Sequence, residues 1–135
     1  MDETPSHVGA RAERAVVSAL EDAGWTAFLP VFSSHARVDL VAVRQSETLR
    51  VQVKTARVLN GAVFFRTCSN TSNRPKGYRG EVDAFGVYSP DLDRCYLVPI
   101  DGLGERGCYL RVTEPANNQQ KGIRLASDYE VRAPR

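Results

Sequence analysis

The chain has 135 residues, of which 42% are hydrophobic and 25% are charged, and its formal net charge is +2. These values predict one soluble globular domain over residues 1–135 and leave too little chain for a second. No apolar run approaches the length of a membrane span, and the first residues are not those of a signal peptide, so we expect no membrane segment. Three widely spaced cysteines form no zinc-binding pair, which favours a reducing, cytoplasmic setting.

The first predicted element is a helix over residues 6–23, because apolar residues recur there with the period of an α-helix. Ser6 is the expected N-cap and Gly24 the expected stop. Glu13 lies at the border of the apolar stripe, so it can lean towards the sheet that the helix covers. The stripe consists of Ala12, Ala15, Val16, Ala19, Leu20 and Ala23.

Strands are predicted after the helix, at residues 25–32, 38–43, 49–56, 62–68, 82–89, 95–100 and 109–113. Residues 69–80 are polar and rich in turn-forming residues, which predicts a mobile basic loop, and a short helix is expected over residues 125–131. The strand at residues 38–43 is apolar on both faces apart from Asp39, the pattern of a central strand. A carboxylate in such a strand is costly unless it is paired or bound to a metal.

A polar break at residues 45–48 separates this strand from the next and predicts a β-hairpin. If all four residues form the loop, Asp39 pairs with Lys54, and Val41 pairs with Gln52. Because side chains alternate along strands, Asp39, Gln52 and Lys54 then share one face at one end of the hairpin.

Phosphodiester hydrolysis needs an attacking water, neutralisation of the charge that grows on phosphorus and a stabilised leaving oxygen. A magnesium ion held by carboxylates can serve all three needs. Asp39 is the expected main ligand, with the amide oxygen of Gln52 and the backbone carbonyl of Val53 as further donors. Glu13 adds negative charge from the helix, while Lys54 orients the water and stabilises the charged transition state.

Each of these residues also has a purely structural interpretation. Glu13 alone is a common kind of helix surface charge, Asp39 and Lys54 can form an ion pair, and Gln52 can lie on a solvated strand face. The active-site hypothesis depends on their coincidence, since an acid in a buried type of strand faces a lysine in the predicted register.

Basic charge is concentrated around this hairpin. Residues 37–80 contain nine basic and two acidic residues, 9 − 2 = +7, whereas the rest of the chain has nine basic and fourteen acidic residues, 9 − 14 = −5. A solvated face is the simpler explanation of charge alone. Together with the hairpin, the distribution favours a polyanionic partner such as nucleic acid.

The arrangement resembles the PD-(D/E)XK nuclease superfamily, and most closely the endonucleases associated with group I introns. The archaeal-type Holliday junction resolvases share the first half and are the nearest alternative. Val38 stands where the superfamily usually has proline, and Gln52 stands where an acid is usual, although the intron-associated group is similar in carrying glutamine there. The segments that carry the likeness are residues 9–13, 38–41, 51–56, 82–88 and 96–99.

The resemblance implies an α/β fold with a restriction-endonuclease-like core, in which a central mixed β-sheet is flanked by helices. It also implies DNA cleavage that depends on Mg²⁺, with Mn²⁺ as a substitute, and a homodimer or homotetramer. Two segments that flank the site, residues 33–37 and 69–79, are expected to contact DNA, mostly at phosphates. Tyr78 can equally pack inside the protein. The DNA-binding candidates are Ser34, His35, Arg37, Arg57, Arg74, Lys76, Tyr78 and Arg79.

Three functions remain open at this point. The first is a metal-dependent DNA endonuclease specific for a site or a DNA structure, including the junction resolvase. The second is a nuclease-fold protein that binds DNA without cutting it, which Gln52 favours. The third is a structural or protein-binding domain, for which the basic segment would be incidental.

Overall fold

The computed structural model describes residues 4–32, 37–71, 74–113 and 122–132, and its largest element is a five-stranded mixed sheet. Its strands lie in the order β1-β2-β3-β8-β9, and only β3 and β8 run parallel. A second, antiparallel sheet has the order β10-β5-β4, and β6 pairs with β7. The elements are α1 (Pro5–Asp22), β1 (Thr26–Phe28), β2 (Leu40–Arg44), β3 (Glu47–Thr55), β4 (Arg57–Leu59), β5 (Ala62–Arg66), β6 (Cys68–Thr71), β7 (Arg74–Gly77), β8 (Ala84–Ser89), β9 (Arg94–Pro99), β10 (Gly107–Arg111) and a 3₁₀ turn, Ala126–Asp128.

Two layers cover the faces of the five-stranded sheet. On one face, α1 packs its buried Val16 and Leu20 with Val51 of β3. On the other face, the second sheet contributes Phe65, which packs with Phe85 of β8 at 5.6 Å between ring centroids. The predicted α/β fold with a central mixed sheet is confirmed. In the described part of the chain, its helical flank consists of α1 and the 3₁₀ turn.

The ends of α1 are set by local hydrogen bonds. The helix begins one residue before the predicted cap, because the hydroxyl of Thr4 accepts the backbone N–H of His7 at 3.2 Å. The prediction of Ser6 as N-cap was therefore wrong. At the other end, Gly24 has φ of +91°, and the N–H of Trp25 reaches back to the carbonyl of Leu20 at 2.9 Å. This is the hydrogen-bond pattern of a Schellman motif, and it confirms the predicted stop at glycine.

Helix and sheet approach most closely at Gly86 in β8. A β-carbon built there would lie 2.7 Å from Cγ1 of Val16 and 3.1 Å from Cγ1 of Val51. Only a residue without a side chain leaves room for α1 at this distance from the sheet. Glu13 lies on the same helix, one turn before Val16, so this close contact also sets how near Glu13 comes to the strands.

Several element boundaries differ from the sequence prediction. Residues 68–77 form the hairpin β6–β7 instead of a loop. Cys68 pairs with Gly77 and Thr71 pairs with Arg74, and such main-chain pairing needs no apolar pattern in the sequence. The first strand covers only residues 26–28 and ends before Pro30. The expected terminal helix is a single 3₁₀ turn, Ala126–Asp128.

None of the helices in the described ranges has the length and apolarity needed to cross a bilayer. Cys68, Cys95 and Cys108 are all buried and free.

Candidate active site

The β2–β3 hairpin has a tighter turn than the sequence suggested. Arg44 pairs with Glu47, so the loop is only Gln45 and Ser46, and Gln45 has φ of +53°. The predicted pairing of Asp39 with Lys54 was therefore wrong: the observed register pairs Leu40 with Val51, and the regular pairing of the two strands ends there. The shift is even, so the residues of β2 and β3 keep their predicted faces, while the position of Asp39 depends on the hydrogen bonds just before β2.

At Asp39 the regular pairing of β2 with β3 breaks. Leu40 pairs with Val51, yet the N–H of Asp39 also donates to the carbonyl of Val51 at 2.8 Å. Two residues of one strand thus oppose one residue of the other, as in a β-bulge. Beyond this point, the Asp39 side chain takes the place of a main-chain partner for β3, since its Oδ2 accepts the N–H of Val53 at 2.8 Å.

Glu13 and Asp39 lie close enough to influence each other's charge. Burial raises the pKa of Asp39, while the hydrogen bond from Val53 and the charge of Lys54 oppose that rise. The pKa of Glu13 is raised by burial and then by the negative charge of Asp39. The helix and the hairpin therefore bring two partly buried carboxyl groups into one electrostatic environment, with the Lys54 ammonium near one of them.

Gln52 and Val53 supply two further oxygen atoms on β3. The side-chain oxygen of Gln52 is buried and has no hydrogen-bond partner in the described structure. Its amide nitrogen lies 3.5 Å from the carbonyl oxygen of Val53. In a strand, the N–H and C=O of one residue point to the same neighbour, so the Val53 carbonyl faces the gap where Asp39 replaces β2.

Lys54 is held by groups that the sequence did not predict. Its Nζ lies 3.2 Å from the carbonyl oxygen of Cys68 and 3.2 Å from the hydroxyl of Tyr78. The ammonium also lies 4.7 Å from the centroid of the Tyr78 ring. Cys68 begins β6 and Tyr78 directly follows β7, so the position of Lys54 depends on the β6–β7 hairpin.

The donor set fits a divalent cation. An unpartnered buried amide oxygen is costly, and a cation would satisfy the one on Gln52. Two carboxylates, an amide oxygen and a backbone carbonyl are the oxygen ligands that hard cations prefer. The acidic content is low, however: the described residues contain no group of three or more His, Cys, Asp or Glu side chains that could hold a metal. The residues that could hold the ion are the two carboxylates, Glu13 and Asp39, with the neutral oxygens of Gln52 and Val53.

Residues 4–132 match the family model described as PD-(D/E)XK endonuclease. The chain belongs to this family. The family match confirms the resemblance to the superfamily, whose nucleases generally use divalent metal ions. The endonuclease also matches the solved structure of a bacterial homing endonuclease, I-Ssp6803I, with a TM-score of 0.72 and 22% identity over 95% of this chain and 89% of that one. At this identity the likeness shows the shared fold. No curated protein sequence matches the chain.

In this PD-(D/E)XK endonuclease, Arg37 fastens the segment that leads into Asp39 to the β6–β7 hairpin. Its guanidinium donates to Glu81 at 3.0 Å, to the hydroxyl of Ser69 and to the carbonyl of Gly77. Its Cζ also lies over the Tyr78 ring, 3.7 Å from the centroid. The ring itself is only 4% exposed, so Tyr78 packs, the alternative that the sequence left open. Ser34 and His35, two further DNA-binding candidates, lie outside the described residues.

Asp83 has a structural role that the sequence did not reveal. Its carboxylate accepts the backbone N–H of Arg50 at 2.7 Å and two guanidinium contacts at 3.1 and 3.0 Å. In return, the N–H of Asp83 donates to the carbonyl of Arg50 at 2.8 Å. These bonds start the parallel pairing of β3 with β8, because Asp83 immediately precedes β8.

The excess positive charge of residues 37–80 is partly neutralised by acids nearby. Arg37 pairs with Glu81, and Arg50 pairs with Asp83; both acids follow the basic segment directly. The remaining cations therefore matter more for a polyanion. Four basic side chains of this segment form no ion pair and no hydrogen bond with any described residue: Arg57, Arg66, Lys76 and Arg79. Arg74 begins β7, which places it at the tip of the β6–β7 hairpin.

Proposed function

We propose that the protein is a DNA endonuclease that hydrolyses phosphodiester bonds with Mg²⁺, for which Mn²⁺ can substitute. The observation that carries this proposal is the convergence at Asp39. The bulge just before β2 brings the Asp39 carboxylate to the N–H of Val53. There it is within electrostatic reach of both Glu13 on the helix and Lys54 on the sheet. Membership of the PD-(D/E)XK endonuclease family supports the same reaction.

The four donors divide the task of holding the ion. Asp39 contributes the charge nearest the strand end, Gln52 and Val53 contribute neutral oxygens, and Glu13 contributes the second negative charge. When bound, the ion polarises the phosphate and lowers the pKa of its water. Burial is the main cause that raises the pKa values of Glu13 and Asp39, and a bound cation would stabilise the charged form of both carboxylates.

Lys54 acts on the substrate in this proposal. Its ammonium lies near the Asp39 carboxylate yet is held by the neutral oxygens of Cys68 and Tyr78. Neutral partners leave the positive charge uncompensated by a close ion pair. The charge is then available to orient the attacking water and to stabilise the negative charge that grows on the phosphate.

DNA contacts are proposed for the exposed cations and the segments around them. Arg57, Lys76 and Arg79 have no acidic partner among the described residues, which suits phosphate binding. The positions of Arg74, Ser34 and His35 in the chain keep them in this group. Arg37 and Tyr78 would act indirectly, because their contacts fix the hairpin that carries these cations.

Two broader features complete the proposal. Cutting both strands of a duplex is simplest with two copies of the site, so we expect a homodimer or homotetramer. Free, buried cysteines suit a reducing compartment, and the cytoplasm is the proposed location.

The competing function is DNA binding without cleavage, favoured by Gln52 and the low acidic content of the site. A magnesium titration with supercoiled, linear and four-way-junction DNA separates the two. We expect cutting that requires the metal and is abolished by Asp39→Ala and by Lys54→Ala. Glu13→Ala should be nearly as damaging, because Gln52 brings no charge. A strong preference for the junction would favour the resolvase alternative.

The matched control is Asp101→Ala, which removes an exposed carboxylate outside the site. Circular dichroism and thermal unfolding establish that each variant is folded. Binding of intact DNA by the wild type, with no cutting at any Mg²⁺ or Mn²⁺ concentration, would replace the endonuclease by the binding protein. Wild-type cleavage rates in Asp39→Ala would reject the site assignment itself.

A further inference from the structure

The outer face of the second sheet carries a row of one arginine and two aromatic residues. Arg57 on β4 pairs with Phe64 on β5, and Phe64 pairs with Tyr109 on β10. The ring centroids of Phe64 and Tyr109 are 4.7 Å apart, and the Arg57 guanidinium lies 5.9 Å from the Phe64 centroid. Cross-strand neighbours on one face interact directly, so the three side chains form one continuous surface.

This row faces outward, away from the core. The residues on either side of it along β5 and β10, Val63, Phe65, Cys108 and Leu110, are all buried between the sheets. Side chains alternate along a strand, which turns Phe64 and Tyr109 to the opposite side. Tyr109 is 57% exposed. Phe64 is half-buried, so the two rings together present part of an aromatic surface to solvent.

A groove connects the row to the proposed active site. It has a volume of about 420 Å³ and is lined by residues that include Lys54, Arg57, Phe64 and Arg66. This size is typical of ligand sites, which span roughly 300–1,000 Å³. Arg57 and Arg66 form no ion pair with any carboxylate of the described ranges, so the groove holds uncompensated positive charge next to Lys54.

We propose that this surface binds an unpaired nucleotide of the DNA substrate beside the phosphate that is cut. Its base stacks on Tyr109 and Phe64, and its own phosphate lies between Arg57 and Arg66. Aromatic rings next to guanidinium groups are the combination that binds single-stranded nucleic acid, because duplex pairing hides the faces of the bases. The inference rests on the proposed function, since it places the DNA strand at Lys54.

Gly107 shows that the position of the Phe64 ring is built into the sheet. This glycine pairs with Arg66, next to the row, and a β-carbon there would lie 2.5 Å from Cε2 of Phe64. The ring therefore occupies the space that a side chain at residue 107 would need. Gly107→Ala should push the ring aside without removing an aromatic group or a charge, and its backbone conformation accepts alanine.

The test is binding of fluorescein-labelled DNA by the full chain in EDTA, where cleavage cannot interfere. The probes are a single strand and the matching duplex. Tyr109→Ala should weaken single-strand binding about fivefold or more, the effect expected for one lost base–aromatic stack, and should change duplex binding less. Gly107→Ala should act in the same direction. Arg66→Gln should reduce the slope of log affinity against log salt by about 0.7 for the single strand.

Phe28→Ala is the matched control, because Phe28 is also 57% exposed but lies on β1, at the edge of the other sheet. It should leave both affinities unchanged. Equal losses on single strand and duplex in Tyr109→Ala would overturn base stacking, as would an equal loss in Phe28→Ala or wild-type binding in both Tyr109→Ala and Gly107→Ala. Cleavage by the wild type in Mg²⁺ is measured separately, so failure of the stacking surface and failure of the endonuclease are distinct results.

Discussion

The close contact between α1 and the sheet at Gly86 makes a prediction about both stability and activity. In Gly86→Ala, the new methyl group would meet Cγ1 of Val16 at 2.7 Å, which is shorter than any relaxed contact between carbons. Val51 stands at 3.1 Å on the other side, so the methyl group cannot move sideways freely. The helix must lift from the sheet.

The expected loss of stability follows from two opposing terms. Overpacking a core by one methyl group costs about 1–3 kcal/mol. Replacing glycine restricts the unfolded chain and returns about 0.4–1 kcal/mol. We expect Gly86→Ala to lower the free energy of unfolding by about 1–2 kcal/mol, and Tm by roughly 3–8 °C. Because Glu13 moves with the helix, cleavage at a temperature where the variant is folded should fall about tenfold or more.

Thermal and urea unfolding measure the first effect, and metal-dependent DNA cleavage measures the second. Gly9→Ala is the control: Gly9 lies on the same helix, and a β-carbon added there would meet no atom within 4 Å, so this change should stabilise the protein by about 0.5–1 kcal/mol. In a Val16→Ala background, Gly86→Ala should cost about 1 kcal/mol less, because the clashing Cγ1 is gone. Identical costs in both backgrounds would refute the steric explanation.

Three further outcomes are expected. Tyr78→Phe removes the hydroxyl that holds Lys54, so kcat should fall about five- to tenfold with little change in KM; an unchanged kcat would show that this hydroxyl does not position the lysine. Hydrogen bonds from the Arg50 guanidinium and backbone lower the pKa of Asp83, so this pair stabilises the fold fully above the ordinary aspartate pKa of about 4 and loses its contribution as pH falls through the lowered value. The difference in unfolding free energy between wild type and Asp83→Asn, measured by urea titration, should therefore shrink below about pH 4, and a constant difference would contradict this. Saturating Mg²⁺ should raise Tm of the wild type but not of Asp39→Asn, and equal shifts would place the ion elsewhere.

Much of the candidate site was predictable from sequence because it depends on local rules. The helical stripe oriented α1, and Glu13 at its border did reach the neighbourhood of Asp39. The two-residue error in register left the side chains of β2 and β3 on their predicted faces, since strand faces repeat every two residues. Asp83 shows the opposite case: its partner Arg50 lies 33 positions away, on a strand that only the parallel pairing brings alongside.

By itself, the order of residues determined which chemical groups the chain could bring together, because periodicity assigns each side chain to a helix or strand face. Tertiary structure decided how those groups are used. The bulge at Asp39 lets its carboxylate accept the backbone N–H of Val53, and packing of the β6–β7 hairpin supplies the oxygens that hold Lys54. Such features arise where strands from distant parts of the chain meet, and main-chain pairing between them leaves no periodic mark in the sequence.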